Sequence, residues 1–224
     1  DYSNAYRNMP DSRVDWPYAD KAWREFLFIR PLQALVILDR TRGSADSLLP
    51  WYNGGGWLLD GPHVTADQVR RSFILHFETV PTVTANRVAA TLGTQTSELI
   101  TLLPASPAYR VFNEDRPGDE QAGQHRVELD QIGSADAYFL NIVTGYDAGE
   151  AALAASLVDN GASWTLTLSH PVRGQAVVTL VKGMSSTGGS IAIDGAPAMP
   201  LRSDVQGIQV TTARPVWEAA YLFR

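Results

Sequence analysis

A period of two governs this chain. In VRRSFILHFET (69–79), Val69, Phe73, Leu75 and Phe77 share one parity. Such alternation sorts side chains onto the two faces of an extended strand and does not suit the 3.6-residue turn of a helix. Similar runs recur: AWREFLFIR (22–30), QALVILDRT (33–41), RVAATLG (87–93), SELITLLP (97–104), HRVELDQ (125–131) and AYFLNIVTG (137–145). Further along lie SWTLTLSH (163–170), QAVVTLVK (175–182), SIAIDG (190–195), IQVTTA (208–213) and AYLFR (220–224). Val, Ile, Thr and aromatic residues fill these runs, and Gly, Pro, Asp and Asn punctuate the gaps. Asn160-Gly161 and Asp194-Gly195 read as tight hairpin turns. ADKAWREFL could open helically, but it runs straight into a strand signal. About a dozen short strands without intervening helices predict an all-β, antiparallel β-sandwich.

The length of 224 residues suits one domain, 1–224. Three stretches interrupt the strand pattern. Residues 1–21 read as an irregular lead-in, 42–68 as a long aromatic loop, and 113–124 (NEDRPGDEQAGQ) as an acidic mobile loop. Apolar residues make up 45% and charged residues 19%, which favours a packed core over disorder. With a net charge of −6 and no basic stripe, nucleic acid is not the expected partner. Cysteine is absent, so disulfides and thiolate metal sites are excluded. No apolar run nears the roughly 20 residues that cross a bilayer as a helix, so no membrane partner is expected. The chain begins with Asp and no signal-like segment stands before it, so it reads as a fragment or mature piece of something longer.

Several strings together resemble a known family. DYSNAYR (1–7), REFLFIRPLQALVILDRTR (24–42), RSFILHFETVPTV (71–83), TLLP (101–104) and AYFLNIVTG (137–145) are similar, in order, to the C-terminal β-sandwich half of heparinase II/III-like polysaccharide lyases. The likeness extends over about residues 1–183; order and spacing carry it, since no single string is a catalytic motif. The resemblance implies a β-sandwich, a carbohydrate context, and an N-terminal helical toroid of the same parent protein as a partner. In that family the toroid and its junction with the first sheet bear most of the Tyr and His residues of the elimination. The resemblance therefore implies a piece that is not catalytic alone.

The residues themselves offer little catalytic chemistry. Elimination next to a uronate needs a carboxylate neutraliser, a base and an acid. The four histidines, His63, His76, His125 and His170, show no metal-ligand spacing, and no nucleophile elbow is present. His76 lies on the polar parity of FILHFET and is the one weak catalytic candidate, against the plainer reading that it faces solvent or a neighbouring strand. His63 and His170 read as loop residues, and His125 opens a strand. Asp39 follows four apolar residues and is expected, partly buried, to pair with Arg40 or Arg42 or to cap the strand end. Glu25, Asp39, Glu78 and Glu128 are strand carboxylates, and a hydrolase would need two of them to converge. The Gly-rich strings 54–56 and 185–190 do not open helices, which argues against phosphate cradling. No cofactor and no metal are expected.

Aromatic residues carry the remaining weight. PWYNGGGWLLDGPH (50–63) places Trp51, Tyr52 and Trp57 beside Asn53 and Asp60, with glycines that let a ligand approach the backbone. Sugar rings stack their CH faces on such side chains while their hydroxyls meet amides and carboxylates. The same set could instead dock another domain or pack over the sandwich edge. Trp16, Tyr18 and Trp23 form a second cluster, Trp164 reads as core, and Trp217 is open to either reading. The expectation is a secreted or periplasmic polysaccharide-binding β-sandwich whose site includes Trp51, Tyr52, Asn53, Trp57 and Asp60. The acidic charge favours a neutral or weakly charged glycan. The alternatives are part of a polysaccharide lyase whose helical domain lies elsewhere, or a purely structural buttress.

Overall fold

The computed structural model describes residues 19–44, 47–48, 51–52, 57–58, 63–114 and 124–201. The strands, in chain order, begin with β1 (Ala19–Ile29), β2 (Ala34–Gly43), β3 (Ser47–Leu48), β4 (Trp51–Tyr52), β5 (Trp57–Leu58) and β6 (His63–Val64). They continue with β7 (Arg71–Phe77), β8 (Thr82–Thr84), β9 (Arg87–Leu92), β10 (Gln95–Leu103), β11 (Tyr109–Asn113) and β12 (His125–Gln131). The last six are β13 (Asp136–Asp147), β14 (Ala154–Asp159), β15 (Ser163–His170), β16 (Gly174–Val181), β17 (Gly189–Ile193) and β18 (Met199–Leu201). Among the described residues the one helical element is a 3-10 turn at Arg30–Leu32, which joins β1 to β2 through Pro31.

Three antiparallel sheets result: a six-stranded sheet in the order β1-β2-β13-β10-β9-β8, a three-stranded sheet β11-β12-β7, and a five-stranded sheet β14 to β18. They stack as three layers with the six-stranded sheet in the middle. One of its faces sends Val36, Leu38, Ile100 and Ile142 against Leu166, Leu168 and Val178 of the five-stranded sheet. The other sends Ile37, Leu99 and Phe139 against Phe73, Val127 and Leu129 of the three-stranded sheet. Double coverage explains why ALVIL in β2 is an unbroken apolar run rather than an alternating one. Outer strands such as β15 alternate, with Trp164, Leu166 and Leu168 buried and Ser and Thr between them. Each fully buried Leu contributes about 2 kcal/mol, so these interfaces dominate the stability of the sandwich.

The β-sandwich expectation holds, and several local expectations hold with it. Trp164 is core, 2% exposed, with Tyr138 edge-on at 5.0 Å. Asp194 and Gly195 both take positive φ (50° and 75°), the signature of a type I′ turn, and Ala196 N donates to Ile193 O across it. Gly161 (φ 79°) turns β14 into β15.

Other expectations need correction. The lead-in does not extend to residue 21, because β1 starts at Ala19 opposite Gly43 with a bulge before Lys21. The 42–68 stretch is not all loop: β3 pairs β6 and β4 pairs β5. Strands β8, β11, β14 and β18 were not predicted. Residues 1–18, 115–123 and 202–224, with the runs expected at 208–213 and 220–224, lie outside the described residues.

Candidate functional site

The expected aromatic platform falls on the β4–β5 hairpin. Its backbone register sets Trp51 opposite Leu58 and Tyr52 opposite Trp57. Asn53 and Asp60 lie outside the described residues.

A second aromatic position is built in full. The β1–β2 register pairs Trp23 with Arg40, Glu25 with Leu38 and Leu27 with Val36, so all six side chains belong to one face of the central sheet. Beyond the reach of the aliphatic core this face opens into a cleft of about 370 Å³. Trp23, Glu25 and Leu27 form its β1 wall, Val36 and Leu38 belong to β2, and Leu180 and Leu201 come from the five-stranded sheet. Arg40 is fully buried beside it. Its Nη1 donates to Glu25 Oε2 and its Nη2 donates to Val181 O at 2.7 Å. Burial pushes the Arg40 guanidinium below its ordinary range, while the nearby Tyr138 acts the other way. An arginine stays charged through such a shift, so the pair remains ionic. Lys21 Nζ sits 4.6 Å from the centre of the Trp23 ring and donates to Ser185 Oγ at 3.2 Å. The cleft thus offers an indole, aliphatic walls and one carboxylate whose charge is already balanced. Its second oxygen, Glu25 Oε1, accepts no hydrogen bond among the described residues.

Among the described residues, a dense set of charges lies elsewhere, on the outer face of the three-stranded sheet. There Arg110 lies opposite Glu128, and Phe112 opposite Arg126, which in turn faces His76. Arg110 bonds Glu128 and lies 2.8 Å from Asp130, and Arg70 holds the same Asp130 at 2.7 Å. Arg126 bridges Glu128 (2.6 Å) and Glu114 (2.8 Å). Both central guanidiniums lie over Phe112, at 5.2 and 4.7 Å. Burial alone would raise the Asp130 carboxyl, but hydrogen bonds from Arg70, Ser72 and Arg110 hold it below the usual range. His76 is exposed, with Nε2 3.2 Å from Glu114 Oε2. This tract answers its own charges.

The remaining polar groups are structural. Asp39 does not pair with Arg40 or Arg42. Residues one and three apart on a strand point to opposite faces, so its partner is the cross-strand Arg24, bidentate at 2.6 Å. Arg42 instead grips Asp136. His170 is not a loop residue: it ends β15, 5% exposed. Its Nδ1 accepts from Val172 N and Arg173 N, and its Nε2 lies 2.9 Å from Ala151 O, so neither nitrogen is left for catalysis. Arg71 donates to the carbonyls of Ser134 and Ala135 in one loop and of Ala66 in another, and ties the two together.

Glu25 and Asp39 fall on opposite faces of the central sheet, and Glu128 lies on the outside of another layer, so these three do not form a hydrolytic pair. Among the described residues no three His, Cys, Asp or Glu gather in a way that could hold a metal ion.

Sequence reasoning missed the Glu25–Arg40 pair. The signal was available, because the short 30–33 connection fixes the register that brings these strands together. No protein-family model matches the chain, and no curated protein matches it.

Proposed function

We propose that this chain is a polysaccharide-binding β-sandwich that is not catalytic alone, in keeping with its resemblance to the C-terminal half of heparinase II/III-like lyases. One observation carries the reading: the Trp23–Glu25 cleft. A pyranose ring can lay its CH face on the indole, and a hydroxyl can donate to the Glu25 carboxylate in a charge-assisted bond. The volume of about 370 Å³ is in the range of small-ligand pockets and suits one or two sugar rings. Fixing Glu25 on Arg40 removes the entropy cost of orienting it at binding. The hairpin residues Trp51, Tyr52 and Trp57, with Asn53 and Asp60, are proposed as a further contact along the same polymer. This function carries with it a secreted or periplasmic location and, from the resemblance, an N-terminal helical domain of the same parent protein as partner.

Affinity electrophoresis through gels containing different polysaccharides tests the proposal. Retardation is expected in at least one gel, and Trp23→Ala should migrate freely while melting cooperatively. Equal mobility in every gel would sink it.

A second reading, part of a polysaccharide lyase, is favoured by His76 and Arg126 meeting on the carboxylate of Glu114. In that reading His76 takes the proton and an arginine neutralises the uronate. It predicts the ultraviolet absorbance of an unsaturated uronate from acidic glycans, lost in His76→Ala. No absorbance change from the parent chain at high concentration would remove it.

A further inference from the structure

We infer, resting on the glycan-binding reading above, that the ligand is a neutral glycan rather than a uronic or sulfated one. Binding an acidic sugar takes a cation with bonds to spare, and among the described residues the arginines at the cleft are committed to partners of their own. In and around the cleft, Arg40 is held by Glu25 and Val181 O, and Arg24 is bidentate on Asp39. On the outer tract, Arg70, Arg110 and Arg126 each meet at least one carboxylate. Elsewhere Arg42, Arg87, Arg173 and Lys182 are paired with Asp136, Glu98, Glu150 and Asp159.

An anionic ligand would have to displace one of these carboxylates. Three of these acids are shielded, with side-chain exposures of 8% for Asp39, 5% for Glu98 and 9% for Glu128, whereas Asp136, Glu150 and Asp159 stand further out in solvent and away from the cleft lining. Exchanging one carboxylate for another gains little, while stripping a shielded acid of its partner leaves a charge that neither water nor protein compensates. Among the described residues, Lys21 and Arg30 are the cations without a carboxylate or a set of backbone carbonyls. Lys21 is already engaged by Trp23 and Ser185, and a lone lysine is a point charge that does not read a planar acid group. The net charge of −6 opposes an approaching polyanion at long range. The cleft, by contrast, presents aliphatic walls, a ring and one compensated acceptor, which match a hydroxylated ring without charge.

Calorimetric titration of the full chain with neutral and with uronic or sulfated oligosaccharides, at low and at high salt, tests this. The expected result is binding to a neutral oligosaccharide with Kd shifting less than about twofold with salt, since no ion pairs form. Trp23→Ala should weaken it about tenfold or more, as loss of an aromatic anchor does. Binding only to acidic glycans, weakened by salt and abolished in Lys21→Glu, would overturn neutrality and leave the glycan reading standing. Binding to neither class would overturn the glycan reading itself. Should Trp23→Ala fail to fold, Trp23→Phe keeps a ring in the cleft and should retain part of the affinity; full loss of binding in a folded Trp23→Phe counts equally against the proposal as no change in it.

Discussion

The cleft and the outer tract are both built from arginine–carboxylate pairs on sheet faces, yet they differ in what they leave over. In the tract three guanidiniums and three carboxylates answer one another across β7, β11 and β12, and Phe112 lies beneath two of the guanidiniums. In the cleft a single pair, Glu25–Arg40, stands among aliphatic walls with an indole beside it. The tract has more polar atoms, but its charges are largely answered within it, each of its arginines meeting a carboxylate. A site is better recognised by unspent hydrogen-bonding capacity in a concavity than by the density of charged side chains.

The largest effect that would break this comparison concerns Arg40. Arg40→Met should cost about 3–5 kcal/mol in chemical denaturation, since it strands Glu25 beside an apolar wall. The double variant Arg40→Met, Glu25→Leu should recover much of that loss while abolishing glycan binding. A single variant as stable as the parent would mean that water compensates Glu25 and that the pair does not shape the cleft.

Next in size is the contrast between the two aromatic rings. Trp23→Ala should lower affinity for the glycan by about tenfold or more, whereas Phe112→Ala should leave titrations unchanged. The reverse ranking would move the site to the tract.

The smallest effects belong to the tract's own charges. Asp130→Asn should change stability by less than about 1 kcal/mol, as exposed pairs do, with binding untouched. Asp130 and Asp136 are both held below the ordinary carboxylate range, Asp136 chiefly by hydrogen bonds from Arg42 and Asp130 by Arg70, Ser72 and Arg110 against the opposing effect of burial. A depressed folded-state pKa gives stability that is present above the unfolded value and lost as pH falls through the folded one. The arginine contacts of both residues should therefore persist below pH about 4 and loosen only in stronger acid, observable as carboxyl shifts in an NMR titration. Titration of Asp130 at an ordinary value would show the tract to be looser than drawn, and the same result for Asp136 would loosen its bond to Arg42 in the central sheet.

Most strands could be read from alternation because each needs only one buried face, as in β7 and β15. Four could not. In β8 three residues are all exposed, β11 carries Arg110 and Asn113, β14 is rich in small residues, and β18 contains Pro200. The triple layering was also hidden, since the partners of β2 and β13 on either face come from strands far along the chain. For the site, the expectation that Asp39 would use Arg40 or Arg42 failed because it followed sequence neighbours rather than cross-strand register. The same register places Trp23 and Glu25 on the face of Arg40, which composition alone does not reveal. Phe26 and Phe28, on the opposite parity of β1, are 61% and 60% exposed because the three-stranded layer does not extend over that edge.

The most direct test follows the indole Nε1–H of Trp23, assigned through Trp23→Phe, while a neutral oligosaccharide is titrated into the full chain by NMR. The account predicts that this resonance shifts and saturates together with the backbone amides of Glu25 and Leu27, while those of His76 and Phe112 stay in place. A fixed Trp23 resonance, with shifts confined to the outer tract or to the β4–β5 hairpin, would contradict it.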